Sequence, residues 1–364
     1  MTGGPIKVLV IDDSALMRKL IPQILEKDSS IQVVGTAMDG TFGLRKIEDL
    51  HPDVITLDLD MPRMDGLETL RQITRSYHTP VIIVSAHSTS GATLTFKALS
   101  LGAFDFVAKP RDAASAKMDD IANELISKIK VAVRAEKRKV LEPPEDVPTK
   151  AIKPLVRRKL PCSKLVVIGI STGGPNALQF MLSQLPGDFS GGIVVVQHMP
   201  EGFTELFARR LDETCAVEVK EAKSGDMILA GRVLICPGNR HIKVRRMPLG
   251  DIVLLTDEER VNGHRPSVDL LFRSAAQEFR SSTIGLIMTG MGEDGAAALG
   301  DIKTAGGLTI AQDETSSVVY GMPKAAVEMG TAMKVVPLNS IAETLVTFVQ
   351  HSRPIPDPSI SVGD

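Results

Sequence analysis

Five short apolar runs alternate with helix-length segments over residues 7–109, and that alternation leaves few folds open. The runs at 7–11, 31–36, 53–57, 81–85 and 104–108 are rich in Val, Ile and Leu and too short to be helices. Helices are expected at 14–25 with Ser14 as cap, at 41–50, at 67–75, from after 85 to about 101, and again from about 116. Strict βα alternation demands a parallel sheet with helices on both faces, because each crossover must pass over a face of the sheet.

Polar residues gather where these strands end. Asp12, Asp13, Asp58, Ser85 and Lys109 all fall at C-terminal strand ends, the side on which open α/β sheets bind ligands. Any one of them alone reads as a loop residue or helix cap, but five in register weigh against accident. Three carboxylates in one crevice repel each other and require a cation; oxygen ligands of this kind suit Mg²⁺, and Lys109 can neutralise the remainder.

The second half restarts the pattern. Residues 165–168 form a buried-strand run that leads into Gly169-Ile170-Ser171-Thr172-Gly173-Gly174-Pro175 and a helix from 176. The Gly-x-Ser-x-Gly spacing is that of a nucleophile elbow, where small neighbours permit a sharp turn that lifts a serine hydroxyl above a sheet. A phosphate-binding turn or a simple helix cap fits the same residues. A strand at 192–196 ends in Gln197-His198-Met199-Pro200, and a helix follows at 204–211. Residues 216–256 alternate β-rich pieces with Gly and Pro turns, so antiparallel hairpins attached to the sheet are expected there. A helix is expected at 265–279, a strand at 284–288 leading to Thr289-Gly290-Met291-Gly292-Glu293-Asp294-Gly295, another strand at 308–313, and a last helix after Pro337.

Ser171, His198 and Asp294 thus share one rim, where a hydroxyl, an imidazole and a carboxylate can form a hydrolytic triad. His241 and His264 are rival bases, and Asp294 reads equally as a turn residue. The chain order Ser, His, Asp differs from the Ser, Asp, His of α/β-hydrolases, which argues against that fold.

At 364 residues the chain calls for two domains. The expected boundaries are 1–128, a Pro-rich linker at 129–161, a second domain at 162–351, and a disordered tail at 352–364. A net charge of −2, no Trp and two Tyr give no electrostatic or stacking case for a nucleic-acid partner. Three cysteines without metal-ligand spacing suit a reduced cytoplasm, and no run reaches the roughly 18 apolar residues of a membrane span.

On these residues the first half, about 7–128, resembles a response-regulator receiver domain: Asp12-Asp13, Asp58 with Met61-Pro62-x-Met64-Asp65-Gly66, Ser85 and Lys109-Pro110 match its pattern. The resemblance implies a flavodoxin-like five-stranded parallel sheet with Asp58 as phospho-acceptor. It implies Mg²⁺ held by Asp12, Asp13, Asp58 and the Asp60 carbonyl, with Ser85 and Lys109 meeting the phosphoryl group. Phe106 takes the place of the switch aromatic, where many relatives carry Tyr. Residues 164–350 resemble the catalytic domain of chemotaxis protein-glutamate methylesterases (CheB). The elbow, Gln197-His198-Met199-Pro200, Pro237-Gly238-Asn239-Arg240-His241, Arg265-Pro266-Ser267-Val268-Asp269 and Thr289-Gly290-Met291-Gly292-x-Asp294-Gly295 carry that likeness, in the family's order. It implies a doubly wound α/β domain and a Ser171–His198–Asp294 triad, with backbone N–H groups near Thr172 and Met291 as the oxyanion site and no cofactor for the esterase half. The implied substrates are methyl-accepting chemotaxis receptors, the implied phosphodonor is a chemotaxis histidine kinase, and the unmodified receiver is expected to cover Ser171. Two rivals fare worse. A DNA-binding output would need a basic helix-turn-helix, and a nucleotide loop at 169–174 lacks a GxGxxG match because Ser171 takes the second glycine position.

Overall fold

A computed structural model of the chain describes residues 4–86, 88–109, 118–135 and 160–350. The first domain runs β1 (Ile6–Ile11), α1 (Ala15–Leu25), β2 (Ile31–Ala37), α2 (Gly40–Leu50), β3 (Val54–Leu57), α3 (Gly66–Ser76), β4 (Val81–Ser85), α4 (Thr89–Ser100), β5 (Asp105–Ala108) and α5 (Met118–Ala135). Its five strands pair in parallel in the order β2-β1-β3-β4-β5. The strands between the edges are buried on both faces, which is why they read as unbroken apolar runs and not as alternating ones. Side-chain caps set the helix starts: Ser14 accepts from Met17 N–H, Asp39 from Phe42 N–H and Asp65 from Glu68 N–H. The expected start of the last helix near 116, residues 136–159 of the linker and the tail at 352–364 lie outside the described residues.

The second domain comprises β6 (Leu165–Ile170), α6 (Gly174–Ser183), β7 (Gly192–Gln197), α7 (Thr204–Thr214), β8 (Glu218–Glu221), β9 (Arg232–Ile235), β10 (His241–Arg245), β11 (Ile252–Thr256), α8 (Val268–Phe279), β12 (Thr283–Ile287), α9 (Ala296–Thr304), β13 (Leu308–Gln312), α10 (Met322–Glu328), β14 (Lys334–Val336) and α11 (Leu338–Gln350). Seven strands form one parallel sheet, β14-β13-β12-β6-β7-β9-β8. Order reverses around β6, so the rim above β12, β6 and β7 is the switch point where such sheets place ligands.

The hairpin expectation for 216–256 holds for only part of that stretch. β8 and β9 pair in parallel and extend the main sheet, whereas β10 and β11 alone form an antiparallel hairpin, in a separate two-stranded sheet. That hairpin packs on α8, where Val244 N–H donates to Ser274 Oγ. Gly225 and Gly231, with φ of 88° and 69°, sit in tight turns closed by Asp226 N–H on Lys223 carbonyl and Arg232 N–H on Leu229 carbonyl, yet neither turn joins the arms of a hairpin. Glycine marks where a chain turns; it does not say in which direction the chain re-enters the sheet. α8 also starts at Val268, three residues later than expected, and the short α10 and β14 carry too little periodicity to be seen in advance.

Candidate active site and receiver site

β6 and β7 run in register with Ile170 opposite Gln197, so Ser171 and His198 leave neighbouring strands at the same height. His198 N–H donates to Ile170 carbonyl at 3.1 Å, and Ser171 N–H donates to Thr289 carbonyl at 3.0 Å, past the end of β12. The Gln197 amide ties the two together, donating to the carbonyls of Ser171 and His198 at 3.0 and 3.2 Å. Gly290 is required by close approach: a Cβ there would lie 2.8 Å from Ser171 Cβ and 2.4 Å from Met322 Sδ. At Gly173 the backbone turns with φ of 75° into α6, as an elbow needs.

Asp294 is the most heavily bonded side chain of the group. Its carboxylate accepts from Ser267 Oγ at 2.8 Å, Val268 N–H at 2.7 Å and Asp269 N–H at 3.3 Å, the first donors of α8, and lies 2.9 Å from His198 Nε2. A helix N-terminus offers unpaired N–H groups to an anion. Burial works to raise this carboxyl, but His198, Val268 N–H and Ser267 outweigh it and hold it at about 2. An ionised carboxylate only accepts, so His198 Nε2 is the donor in this pair. Nδ1 is buried without a hydrogen-bond partner among the described residues. Buried Asp269 braces this corner by accepting from Gly295 N–H at 3.0 Å.

The rival histidines separate cleanly. His241 is fully buried, accepts from Ser267 N–H through Nδ1 at 3.2 Å and donates from Nε2 to Glu259 carbonyl at 3.0 Å, leaving no lone pair for base chemistry. His264 lies flat on His198, with ring centroids 4.0 Å apart. Thr172 is buried and its carbonyl accepts from Thr289 Oγ1; Met291 follows Gly290, whose carbonyl accepts from Gly321 and Met322 N–H groups. Roles for Ser267 and Gln197 were not read from the sequence, although each belongs to a quoted motif, and His264 was read there only as a rival base.

In the first domain Asp12, Asp13 and Asp58 bring carboxylate oxygens within 4.8 Å of one another, with Asp12 and Asp58 buried and Asp13 exposed. Lys109 Nζ is 2.6 Å from Asp58 and 2.9 Å from Asp12. Burial pushes the Asp58 carboxyl up from the ordinary carboxylate range, against the pull of Lys109. Three clustered hard oxygen donors fit Mg²⁺, whose charge would offset their repulsion. Asp60 is exposed just beyond this group. Ser85, buried at the end of β4, donates to Gly91 carbonyl at 3.1 Å.

Phe106 is buried against the other domain. It stacks on Phe203 at 4.9 Å between centroids, and Phe96 of α4 stacks on Phe207 of α7 at 5.4 Å. These rings belong to one apolar cluster that runs through both domains. Polar contacts flank it: Asn176 donates to Leu99 carbonyl at 2.9 Å, and Arg210 donates to Ser100 Oγ. Asp105 precedes the switch position and is fully enclosed. Burial raises its carboxyl, while Lys128, Phe106 N–H and the hydroxyl of Thr172, the neighbour of Ser171, oppose the rise.

A parallel α/β domain with an acidic pocket and its lysine, docked on a second whose rim gathers serine, histidine and aspartate, defines a response regulator with a hydrolase-type output domain. Residues 8–118 match the response regulator receiver domain and residues 166–345 match the CheB methylesterase family. The protein-glutamate methylesterase/protein-glutamine glutaminase 2 of Koribacter versatilis is 62% identical over 351 residues, covering 95% of this chain and 97% of that protein. The corresponding Pyrococcus horikoshii protein is 42% identical over 360 residues, covering 97% and 96%. The crystal structure of the Thermotoga maritima CheB methylesterase catalytic domain is 43% identical, with a TM-score of 0.50, and covers 51% of this chain and 98% of that one. The chain belongs to the CheB family.

Proposed function

We propose that this protein hydrolyses glutamate γ-methyl esters on methyl-accepting chemotaxis receptors, and deamidates receptor glutamines, under control of phosphorylation at Asp58. The observation that carries the reading is the state of His198: Asp294 holds the Nε2 proton, and a bare Nδ1 lies one strand from Ser171. In the reaction, Nδ1 takes the Ser171 proton as Oγ bonds to the ester carbonyl carbon. Backbone N–H groups of Thr172 and Met291 receive the oxyanion. The imidazolium returns its proton to the departing methoxy oxygen, releasing methanol and leaving an acyl-enzyme. Water, deprotonated by Nδ1, then attacks the acyl carbon, and the proton passes back to Ser171 Oγ. With glutamine the leaving group is ammonia and the remaining steps are the same.

Residues 1–128 act as the regulator and 162–351 as the enzyme, joined by the linker at 129–161. The phosphodonor is a chemotaxis histidine kinase, and the protein works in the cytoplasm, where it meets the receptors without inserting into the bilayer. Among the described residues no helix is long and apolar enough to cross a membrane. Asp12, Asp13, Asp58 and the Asp60 carbonyl would hold Mg²⁺, which when bound offsets charge around the phosphoryl group. Ser85 and Lys109 turn toward the new phosphoryl oxygens, and Phe106 shifts with them. Its stack on Phe203 supports a receiver that covers the rim while Asp58 is unmodified. The test is methanol release from receptors carrying labelled methyl groups, with and without acetyl phosphate and Mg²⁺. Release that rises with phosphodonor bears the reading out; no release under either condition refutes it.

A further inference from the structure

We propose that His264 is a positioning residue for His198: a ring that lies flat on the base, fixes its plane beside Asp294, and keeps water off one face. The inference rests on the hydrolase reading of the Ser171 site.

The two rings are 4.0 Å apart between centroids and 4° from parallel, too close for water to enter between them. His198 is therefore sealed on that face while one edge is bonded to Asp294. Rotation of the base about its ring bond would break the Asp294 contact and drive an edge into His264. A base held in this way presents Nδ1 along one direction only, which is what proton transfer from a neighbouring hydroxyl needs.

His264 is itself anchored. It closes a tight two-residue turn in which Val261 N–H donates to His264 carbonyl at 3.0 Å and His264 N–H to Val261 carbonyl at 2.9 Å. Asn262 and Gly263 occupy the turn with φ of 52° and 78°, the left-handed pair that such turns use. The next residue, Arg265, donates from Nε and Nη2 to Asn239 Oδ1 at 3.1 and 2.9 Å, and from Nη1 to the carbonyls of Asp257 and Glu258 at 3.3 and 3.2 Å. The turn is thereby tied to the loops that follow β9 and β11. The turn that carries the half-buried His264 is thus held from both sides.

The charged and titratable groups acting on the ring are His198, Asp294, Arg260 and Glu124 of α5. Burial first, and His198 second, push His264 down to about 4, so it is neutral wherever the enzyme works. When His198 takes up the Ser171 proton it faces a neutral π surface, which accepts a cation; a charged ring in that place would oppose the transfer.

The test uses the full-length protein with acetyl phosphate and Mg²⁺, and methanol release from receptor membranes labelled with methyl groups. His264→Phe keeps a flat ring and removes both nitrogens; His264→Ala removes the platform. The expected result is that the Phe variant keeps at least ten times the kcat of the Ala variant, with KM within about twofold in both. The acid limb of the pH profile stays in place for Phe and moves to higher pH for Ala, as water reaches the uncovered face. A smaller kcat ratio overturns the proposal, and so does a Phe variant as impaired as Ala, which would make His264 a proton carrier. If the Ala variant does not fold, the Phe variant against the parent decides: a kcat within about tenfold with the acid limb in place bears the proposal out, and a larger loss or a moved limb overturns it. A parent that releases no methanol refutes the hydrolase reading instead, so the two failures are distinct.

Discussion

Asp294→Asn is the substitution whose consequences the structure fixes most tightly. The carboxylate sits 2% exposed and faces four donors: Ser267 Oγ, Val268 N–H, Asp269 N–H and His198 Nε2–H. An amide has one oxygen, so its NH₂ takes either the Oδ1 place, facing Ser267 Oγ and Asp269 N–H, or the Oδ2 place, facing Val268 N–H and His198 Nε2. In the first place Ser267 Oγ can turn to accept, Asp269 N–H is orphaned at roughly 1–3 kcal/mol, and His198 keeps its acceptor. If it points at His198, the ring must accept through Nε2, the proton moves to Nδ1, and the base is lost. In both placements the negative charge that stabilises the His198 imidazolium is gone, so kcat should fall on the order of 10³- to 10⁴-fold, about 4–5.5 kcal/mol in the barrier. A second readout is acid stability. The Asp294 carboxyl lies at about 2 when folded against 3.8 as its ordinary value. Its contribution, on the order of 2–3 kcal/mol, is therefore complete above the unfolded value and is lost as pH falls from about 4 toward 2. The parent melting temperature should drop across that window more steeply than the variant's. Methanol release, measured well below the melting transition of the variant, and thermal melts between pH 2 and 6 give both quantities. A variant that keeps more than about one tenth of parental kcat would refute the assignment of Asp294 as the group that sets the His198 tautomer.

Other perturbations follow from the same geometry. Ser171→Ala should reduce methanol release on the order of 10⁴- to 10⁶-fold, and an unchanged rate would exclude it as nucleophile. Asp58→Asn should bring the ratio of rates with and without acetyl phosphate to one; a persisting stimulation would place the phospho-acceptor elsewhere. Phe203→Ala removes the ring that Phe106 stacks on, so rates without phosphodonor should rise at least threefold and approach those of a fragment starting near Leu160. If fragment, variant and parent all hydrolyse equally without phosphodonor, the receiver does not cover the site.

Much of this was legible before any coordinates, because parallel strands buried on both faces leave a plain local signature. β1, β3, β4, β6 and β7 are unbroken apolar runs, and each stops at its functional residue or one short of it. Partner choice is not local, and there the reading failed. Residues 218–221 and 232–235 look like the arms of a hairpin, yet each finds its neighbour in parallel at the sheet edge. The site shows the same division. Ser171, His198 and Asp294 stand out by residue type, but which imidazole nitrogen meets the carboxylate depends on the start of α8, about 70 residues away from His198. The stack of His264 on His198 and of Phe106 on Phe203 joins residues with no shared periodicity, so nothing in the string of letters pairs them.

On the proposed regulation, the junction of the domains offers a charge at Asp58 a short route toward Ser171. Asp105 is the neighbour of Phe106, and the Thr172 hydroxyl that acts on it belongs to the neighbour of Ser171. Lys128 holds the other side, donating to Phe106 carbonyl at 2.6 Å and pairing with Asp105 at 3.3 Å and Glu124 at 2.8 Å. A shift of Phe106 would therefore move Asp105, its neighbour in the chain, on the side where Thr172 acts. The ion pair is a poor candidate for the force that keeps the domains together, since burial already penalises the Asp105 charge and water would repay it on opening. The stacked rings are the cohesive part, since each would expose apolar surface when the domains separate. Cohesion from the rings and register from the buried charges make a contact that is specific yet only moderately strong. On the proposed regulation, a phosphoryl group at Asp58 has only to favour a state in which Phe106 no longer faces Phe203.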